Sequence, residues 1–354
     1  MKKLLFALTA AAAMVVAVNA QAADKLKACF VYVGPIGDFG YSYQHEQGRQ
    51  DVIKHFGDKV ETAYLENVSE GPDAERAFER LARQHCNMIF GTSFGFMDSE
   101  LKVAKKFPKV MFEHATGFKT AKNMGIYNAR FYEGRYVMGQ IAAKMSKTGV
   151  AGYIVSFPIP EVVMGINSFM LGAQSVNPNF KLKIVWVNSW FDPGKEADAA
   201  KALFDQGADI ITQHTDSTAP LQVAEERGKL GFGQSSDMIK FAPKAQLTSN
   251  TDNWGPYYIK RIQAALDGTW KPDSVWLGIK DDVVKLAPFT NMPDDVKAMA
   301  EATEKKIAGG WNPFTGPVYR QDGTEWLKDG EVSDDKTLLG MNFYVKGIDD
   351  KLPK

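Results

Sequence analysis

The sequence predicts an α/β protein of two lobes, each a parallel sheet flanked by helices, joined by three hinge crossings. Three observations carry this. Apolar runs of strand length alternate with helical patterns of 10 to 16 residues, which is the βαβ signature of a parallel sheet. The alternation stops and then begins a second time. The 354 residues exceed what one compact domain usually takes.

The first 22 residues stand apart from the fold. Lys2 and Lys3 form a charged start, Leu4 to Val18 an apolar run, and Ala20-Gln21-Ala22 a small-x-small cleavage site, the pattern of a secretory leader. The apolar run is shorter than the ~20 residues a membrane span needs. The mature chain is expected to start near Ala23 and to be a free periplasmic protein without stable membrane insertion, since no cysteine at the cleavage point offers a lipid site.

From residue 26 onward strands are expected at 26–33, 60–66, 87–92 and 109–114, with helices at 43–57, 72–85 and 97–107. After a helix at 132–146 the second series has strands at 150–156, 182–188, 208–213 and 230–233, with helices at 160–175, 195–206 and 218–227. Residues 127–130, the polar stretch 247–253 and an extended run at 275–287 fit neither series and read as crossings, so a cleft lies beneath a hinge. A helix at 254–267 falls between the last two crossings, and one at 293–307 precedes a glycine- and aromatic-rich tail. Lobe one is then 23–128 plus 252–275, and lobe two is 129–251 plus 276–354 with a C-terminal extension.

The loop after the first strand, Val33 to Tyr43, organises the site. It carries Gly34, Gly37 and Gly40 at every third position, together with Asp38, Phe39 and Tyr41. Ligands of open α/β sheets bind at the carboxyl ends of the strands, and one carboxylate with aromatic faces suits a flat, polar-edged molecule. The spacing G-x-x-G-x-x-G is not the dinucleotide fingerprint. The matching strand ends of the second series supply Phe157, Trp190, Asp192, His214, Asp216, Ser217, Ser235 and Asp237. Serine and aspartate there can simply cap helices; the rings of Tyr41, Phe157 and Trp190 gain nothing by capping.

Composition excludes several classes. Lys+Arg and Asp+Glu both number 42, and loss of Lys2 and Lys3 leaves the mature chain slightly acidic, so nothing favours nucleic acid. The five histidines are scattered, with no metal-ligand spacing, and Walker-type loops are absent. Neither metal nor cofactor is expected. Cys29 and Cys86 fall on strands expected to be neighbours; a bridge and a pair of buried thiols both satisfy the sequence. Gly91-Thr92-Ser93-Phe94-Gly95 fits the G-x-S-x-G elbow of an exported α/β hydrolase, with His114 or His214 and Asp192 or Asp209 as partners. Hydrolase sheets place the histidine near the end of the fold, and the last 140 residues here hold none. Ser93 therefore reads as a hydroxyl at the cleft edge, and the protein as a binder without catalytic residues.

Residues 90–96 (Phe90-Gly91-Thr92-Ser93-Phe94-Gly95-Phe96), 133–143 (Glu133 to Ala143), 206–211 (Gln206 to Ile211) and the closing Phe314-Thr315-Gly316-Pro317-Val318 resemble the basic-membrane-protein, PnrA-like family of transporter solute-binding proteins. The resemblance covers essentially the whole mature chain. It implies a type I periplasmic-binding fold that closes around a purine and delivers it to an ABC permease. Asp38 and Tyr41 match the first-loop positions of the family's nucleoside binders, and the carboxylate after the fourth lobe-two strand maps onto Asp237. The first-loop asparagine and the lysine after the second crossing have no counterpart. A free base such as adenine or guanine is therefore expected over a nucleoside. The candidate ligand residues are Phe39, Tyr41, Ser93, Asn128, Phe157, Asn167, Trp190, Asp216 and Asp237. Each ring stacked on the base, Tyr41 and Trp190 above all, contributes roughly 1–3 kcal/mol. Asp216 or Asp237 accepts from its N–H groups, and Asn167 donates and accepts. A monomer is expected.

Overall fold

The computed structural model describes residues 25–353; the expected leader lies outside them. Strand β1 (Leu26–Val31) leads through the glycine loop into α1 (Tyr41–Phe56), followed by β2 (Val60–Leu65), α2 (Pro72–Arg83), β3 (Met88–Gly91), α3 (Met97–Lys106), β4 (Met111–Ala115) and β5 (Met124–Ala129). The second series is α4 (Phe131–Met145), β6 (Val150–Val155), α5 (Pro160–Val176), β7 (Lys181–Trp186), α6 (Pro193–Asp205), β8 (Ile210–His214), α7 (Ala219–Glu226), β9 (Leu230–Ser235) and β10 (Gln246–Asp252). Then come α8 (Gly255–Leu266), β11 (Ser274–Leu277), β12 (Val284–Leu286), α9 (Asp294–Ala308), the short pair β13 (Val318–Tyr319) and β14 (Glu325–Leu327), and α10 (Asp335–Leu339).

The strands form two six-stranded sheets, ordered β11-β5-β4-β3-β1-β2 and β12-β10-β9-β8-β6-β7. Every pairing in the first is parallel; in the second only β12 runs antiparallel, beside β10. The chain passes between the sheets after β5, after β10 and between β11 and β12. β1 lies between β2 and β3, which brings Cys29 on β1 beside Cys86 at the mouth of β3, and the two form a disulfide.

Two strands differ from the sequence reading. β5, Met-Gly-Ile-Tyr-Asn-Ala, is buried at every position, so it lacks the alternation that marks a strand, and its last three residues read as part of a crossing. β10, Gln-Leu-Thr-Ser-Asn-Thr-Asp, is buried although mostly polar, because its side chains are spent on interior bonds: Thr248 Oγ1 donates to the Ala287 carbonyl at 2.6 Å and Asn250 Nδ2 to that of Phe131 at 3.2 Å. β11 pairs with β5 through Leu277, so the lobe-one sheet runs two residues past the boundary at 275.

Apolar clusters cover both faces of each sheet. Helices α4 and α5 approach closely because Gly139 and Gly172 face each other's backbone; a Cβ at either would overlap the carbonyl of Phe169 or Tyr136. The segment after α9 folds back on lobe two, burying Phe314, Val318, Leu327, Leu338, Tyr344 and Val345 in its core. Arg130, at the first crossing, holds this segment through a two-pronged bond to Asp335 at 2.9 and 2.7 Å.

Candidate ligand-binding cleft

The carboxyl ends of both sheets face a common cleft. On the lobe-one side Asp38 is consumed as a cap: its carboxylate accepts the backbone N–H groups of Gly40, Ser42 and Tyr43 at 2.8 to 3.2 Å, which starts α1 and positions Tyr41 at its first turn. The Tyr41 ring meets the edge of His45, and its hydroxyl is buried without a partner. Ser93 follows β3, and its Oγ donates to Glu70 Oε1 at 2.6 Å. His114, one histidine the hydrolase reading requires, is paired with Glu100 through Nδ1 at 2.8 Å.

On the lobe-two side Trp190 follows β7. Its indole N–H donates across the cleft to the same Glu70 Oε1 at 3.3 Å, and Phe157 packs behind its ring at 5.2 Å. His214 ends β8, with Asp216 two residues on. Gln234 and Ser235 end β9, and Asp252 ends β10. Glu161 stands in the first turn of α5, just after Pro160.

The lobes touch along one seam. Ser236 Oγ donates to the Phe39 carbonyl, the Phe39 ring meets Phe241 at 4.8 Å, and Lys240 Nζ lies 3.8 Å above the Phe39 ring. Gly40 is required here: a Cβ would overlap the carbonyl oxygen of Asp216.

Inside the seam are two joined hollows. The inner one, about 340 Å³ of space not filled by protein atoms, is lined by Tyr41, Ser93, Phe94, Glu161, Trp190, His214, Asp216 and Gln234. The outer, about 520 Å³, is lined by Phe118, Asn128, Phe131, Tyr132, Met164 and Trp276 among others; Phe94, Thr116 and Glu161 border both.

Among the residues lining these hollows, Tyr41 Oη, Asn128 Oδ1, Glu161 Oε2, His214 Nδ1 and Trp276 Nε1 are buried and unpartnered, as are Arg135 Nε, Ser235 Oγ and both carboxyl oxygens of Asp252, whose residues line neither hollow. Such groups cost about 1–3 kcal/mol each when left without a bond, so this clustering marks a place where something else supplies the partners. Burial pushes Glu161 and Asp252 up to about 8, with their mutual repulsion adding to Glu161 and the Arg135 guanidinium opposing in both. Burial, together with Asp38 and Glu196, raises Asp216 well above the usual carboxylate range. Burial, aided by Arg135, holds His214 well below its ordinary value and therefore neutral. Arg135, itself fully buried, donates to Gln234. The walls thus offer acceptors, neutral carboxyl donors and aromatic faces.

Of the residues singled out from sequence, Tyr41, Ser93, Trp190 and Asp216 line the inner hollow and Asn128 the outer one. Phe157 backs Trp190, and Phe39 belongs to the seam. Two lie elsewhere. Asn167 is on the face of α5 turned to the C-terminal segment, where it donates to the Phe343 carbonyl at 2.8 Å and accepts from Val345 N at 3.0 Å. Asp237 is exposed on the loop after β9, where Oδ1 accepts from Ile239 N at 3.1 Å and Gln246 Nε2 at 2.7 Å. Sequence reasoning missed Glu161, Arg135 and Asp252. For Asp252 a signal existed: a polar stretch of strand length between two apolar elements.

Among the described residues no helix is long and apolar enough to cross a membrane. A profile of the family described as ABC transporter substrate-binding protein, PnrA-like, matches residues 25–312. A purine-binding protein of Brucella abortus is 68% identical over 336 residues, covering 95% of this chain and 96% of that protein. A Haloferax volcanii protein, provisionally named an ABC transporter glucose-binding protein, is 37% identical over 332 residues, covering 93% of this chain and 82% of its own. In architecture the chain is similar to an ABC transporter solute-binding protein from Aeropyrum pernix, with a TM-score of 0.72 at 16% identity, covering 88% of this chain and 95% of that one.

Proposed function

The chain belongs to the PnrA-like family of ABC transporter substrate-binding proteins, and on that premise we propose that it binds a free purine base, in preference to a nucleoside, in the inner hollow and hands it to an ABC permease from the periplasm. The carrying observation is the ring of unpartnered polar atoms from both lobes around a small aromatic hollow: Tyr41 Oη from lobe one, Glu161 Oε2 and His214 Nδ1 from lobe two. A purine presents donors and acceptors in one plane and two stackable faces, which matches those edges and the rings of Tyr41 and Trp190. A ligand gripped from both sides favours the lobes-together state by its differential affinity for it. The name of the Brucella abortus relative supports the purine class, and the absent first-loop asparagine supports the base over the nucleoside.

Melting curves with adenine, guanine, hypoxanthine, adenosine, guanosine and glucose test this. A bound ligand at a hundredfold excess over Kd raises stability by about 2.7 kcal/mol. Larger shifts with bases than with nucleosides support the reading; a shift with glucose alone refutes the ligand class. Trp190→Ala is expected to weaken base binding by about 1–3 kcal/mol through lost stacking and to leave the ligand-free melt in place.

A further inference from the structure

Glu161 is the carboxyl that both hollows share, and sequence reading passed over it. Pro160 starts α5 and sets Glu161 in its first turn, pointing at the junction. Its side chain is only 16% exposed; Oε1 lies 3.6 Å from His214 Nε2, while Oε2 is buried and has no partner. The groups facing it come from four elements: Tyr41 of α1, Arg135 of α4, His214 of β8 and Asp252 of β10. Asp252 is 1% exposed with both oxygens unpartnered and lies close enough to repel the Glu161 carboxyl, with the one guanidinium of Arg135 opposing both. Two buried negative charges near one cation are not both stable, and one of the pair stays protonated.

Resting on the purine reading above, we propose that Glu161 is the specificity-determining residue of the cleft, meeting the base as a neutral carboxyl whose Oε2–H donates to an unprotonated ring nitrogen. Oε1 lies 3.6 Å from His214 Nε2, beyond hydrogen-bond reach, and Oε2 is buried with no partner at all, so Oε2 is the oxygen whose bond is left to be supplied. A site that holds a buried donor rejects a ligand without the matching acceptor, because that donor is then left unpaired. The raised titration point of Glu161, about 8 through burial and Asp252, supplies the neutral form at neutral pH.

Calorimetric titration with adenine and with its 1-, 3- and 7-deaza analogues, in which one ring nitrogen is replaced by C–H, tests the assignment. One of the three analogues is expected to bind at least about tenfold more weakly than adenine. Glu161→Leu lowers adenine affinity at least about tenfold and removes the difference between adenine and that analogue. Glu161→Gln, whose amide also donates, recovers most of the loss. Adenine affinity of the unmodified protein falls about tenfold from pH 6.5 to 9, as a group titrating near 8 loses its proton; both variants flatten this profile. Ligand-free melts of the variants separate a folding defect from a binding one. Three analogues that bind like adenine, or a Gln variant as weak as the Leu variant, overturn the donor role while leaving the purine reading intact. If the unmodified protein binds no base, both proposals fall.

Discussion

Two buried carboxyls, one on a strand of each sheet, are treated in opposite ways. Glu113 on β4 is fully buried, and its oxygens accept from Tyr257 Oη at 2.7 Å, Arg261 Nε at 2.5 Å and Trp270 Nε1 at 2.6 Å. Asp252 on β10 is buried as deeply, and neither oxygen has a partner. The first is finished: every lone pair that matters is spent within lobe one, joining β4 to α8 and the turn beyond it. The second has no such set of bonds and stands close enough to Glu161, which lines the cleft, to repel its carboxyl. Burial alone therefore does not distinguish a satisfied charge from an unsatisfied one; the accounting of partners does. Asn167 and Tyr41 repeat the contrast with neutral groups, one saturated by the C-terminal segment and one unpartnered at the hollow.

The contrast is most open to attack at Glu113. Glu113→Ala strands the Arg261, Tyr257 and Trp270 donors, and urea unfolding is expected to show a loss of about 3–5 kcal/mol. Any ligand affinity that survives at temperatures where the variant is folded should be unchanged. A milder version uses Asn167→Ala, which leaves the Phe343 carbonyl and Val345 N–H unpaired. A loss of about 1–3 kcal/mol in stability with unaltered affinity is expected; an affinity loss with intact stability would return Asn167 to the site.

The buried carboxyls around the cleft make a forecast for pH. In the unfolded chain Asp38, Glu161, Asp216 and Asp252 titrate near ~4, whereas in the fold Asp38 is pushed to about 7 and Glu161 and Asp252 to about 8, all by burial, with Asp216 raised as well. Between those limits the folded protein binds more protons than the unfolded one, so stability is full below about pH 4 as far as these groups are concerned and falls as pH rises toward 8. The ligand-free melting temperature is expected to be lower at pH 8 than at pH 5.5, and Asp252→Asn to flatten the difference. A melt that climbs over that window would contradict the raised titration of these buried carboxyls.

How much of this was legible in the sequence follows from the same distinction. The βα alternation and the first-loop glycines pointed to the fold, and Tyr41, Trp190 and Asp216, singled out because a strand end is recognisable, line one hollow in the structure. Asn167 and Asp237 were misplaced because the face a helix turns to its ligand, and the direction of a loop carboxylate, depend on packing against distant segments: residues 343–345 for one, Gln246 for the other. Arg135, Glu161 and Asp252 were missed for a related reason. Charged residues on helices and strands are solvated in most proteins, and only their tertiary surroundings reveal the unpartnered atoms that these three bury.

The most direct measurement is a crystal structure of the protein with a purine base bound. The account predicts the base in the inner hollow, stacked on Trp190, with at least two of Tyr41 Oη, Glu161, His214, Asp216 and Asp252 bonded to it directly or through one ordered water, and with the bonds of Glu113 unchanged. A base seated elsewhere, with water alone satisfying those five groups, would contradict it.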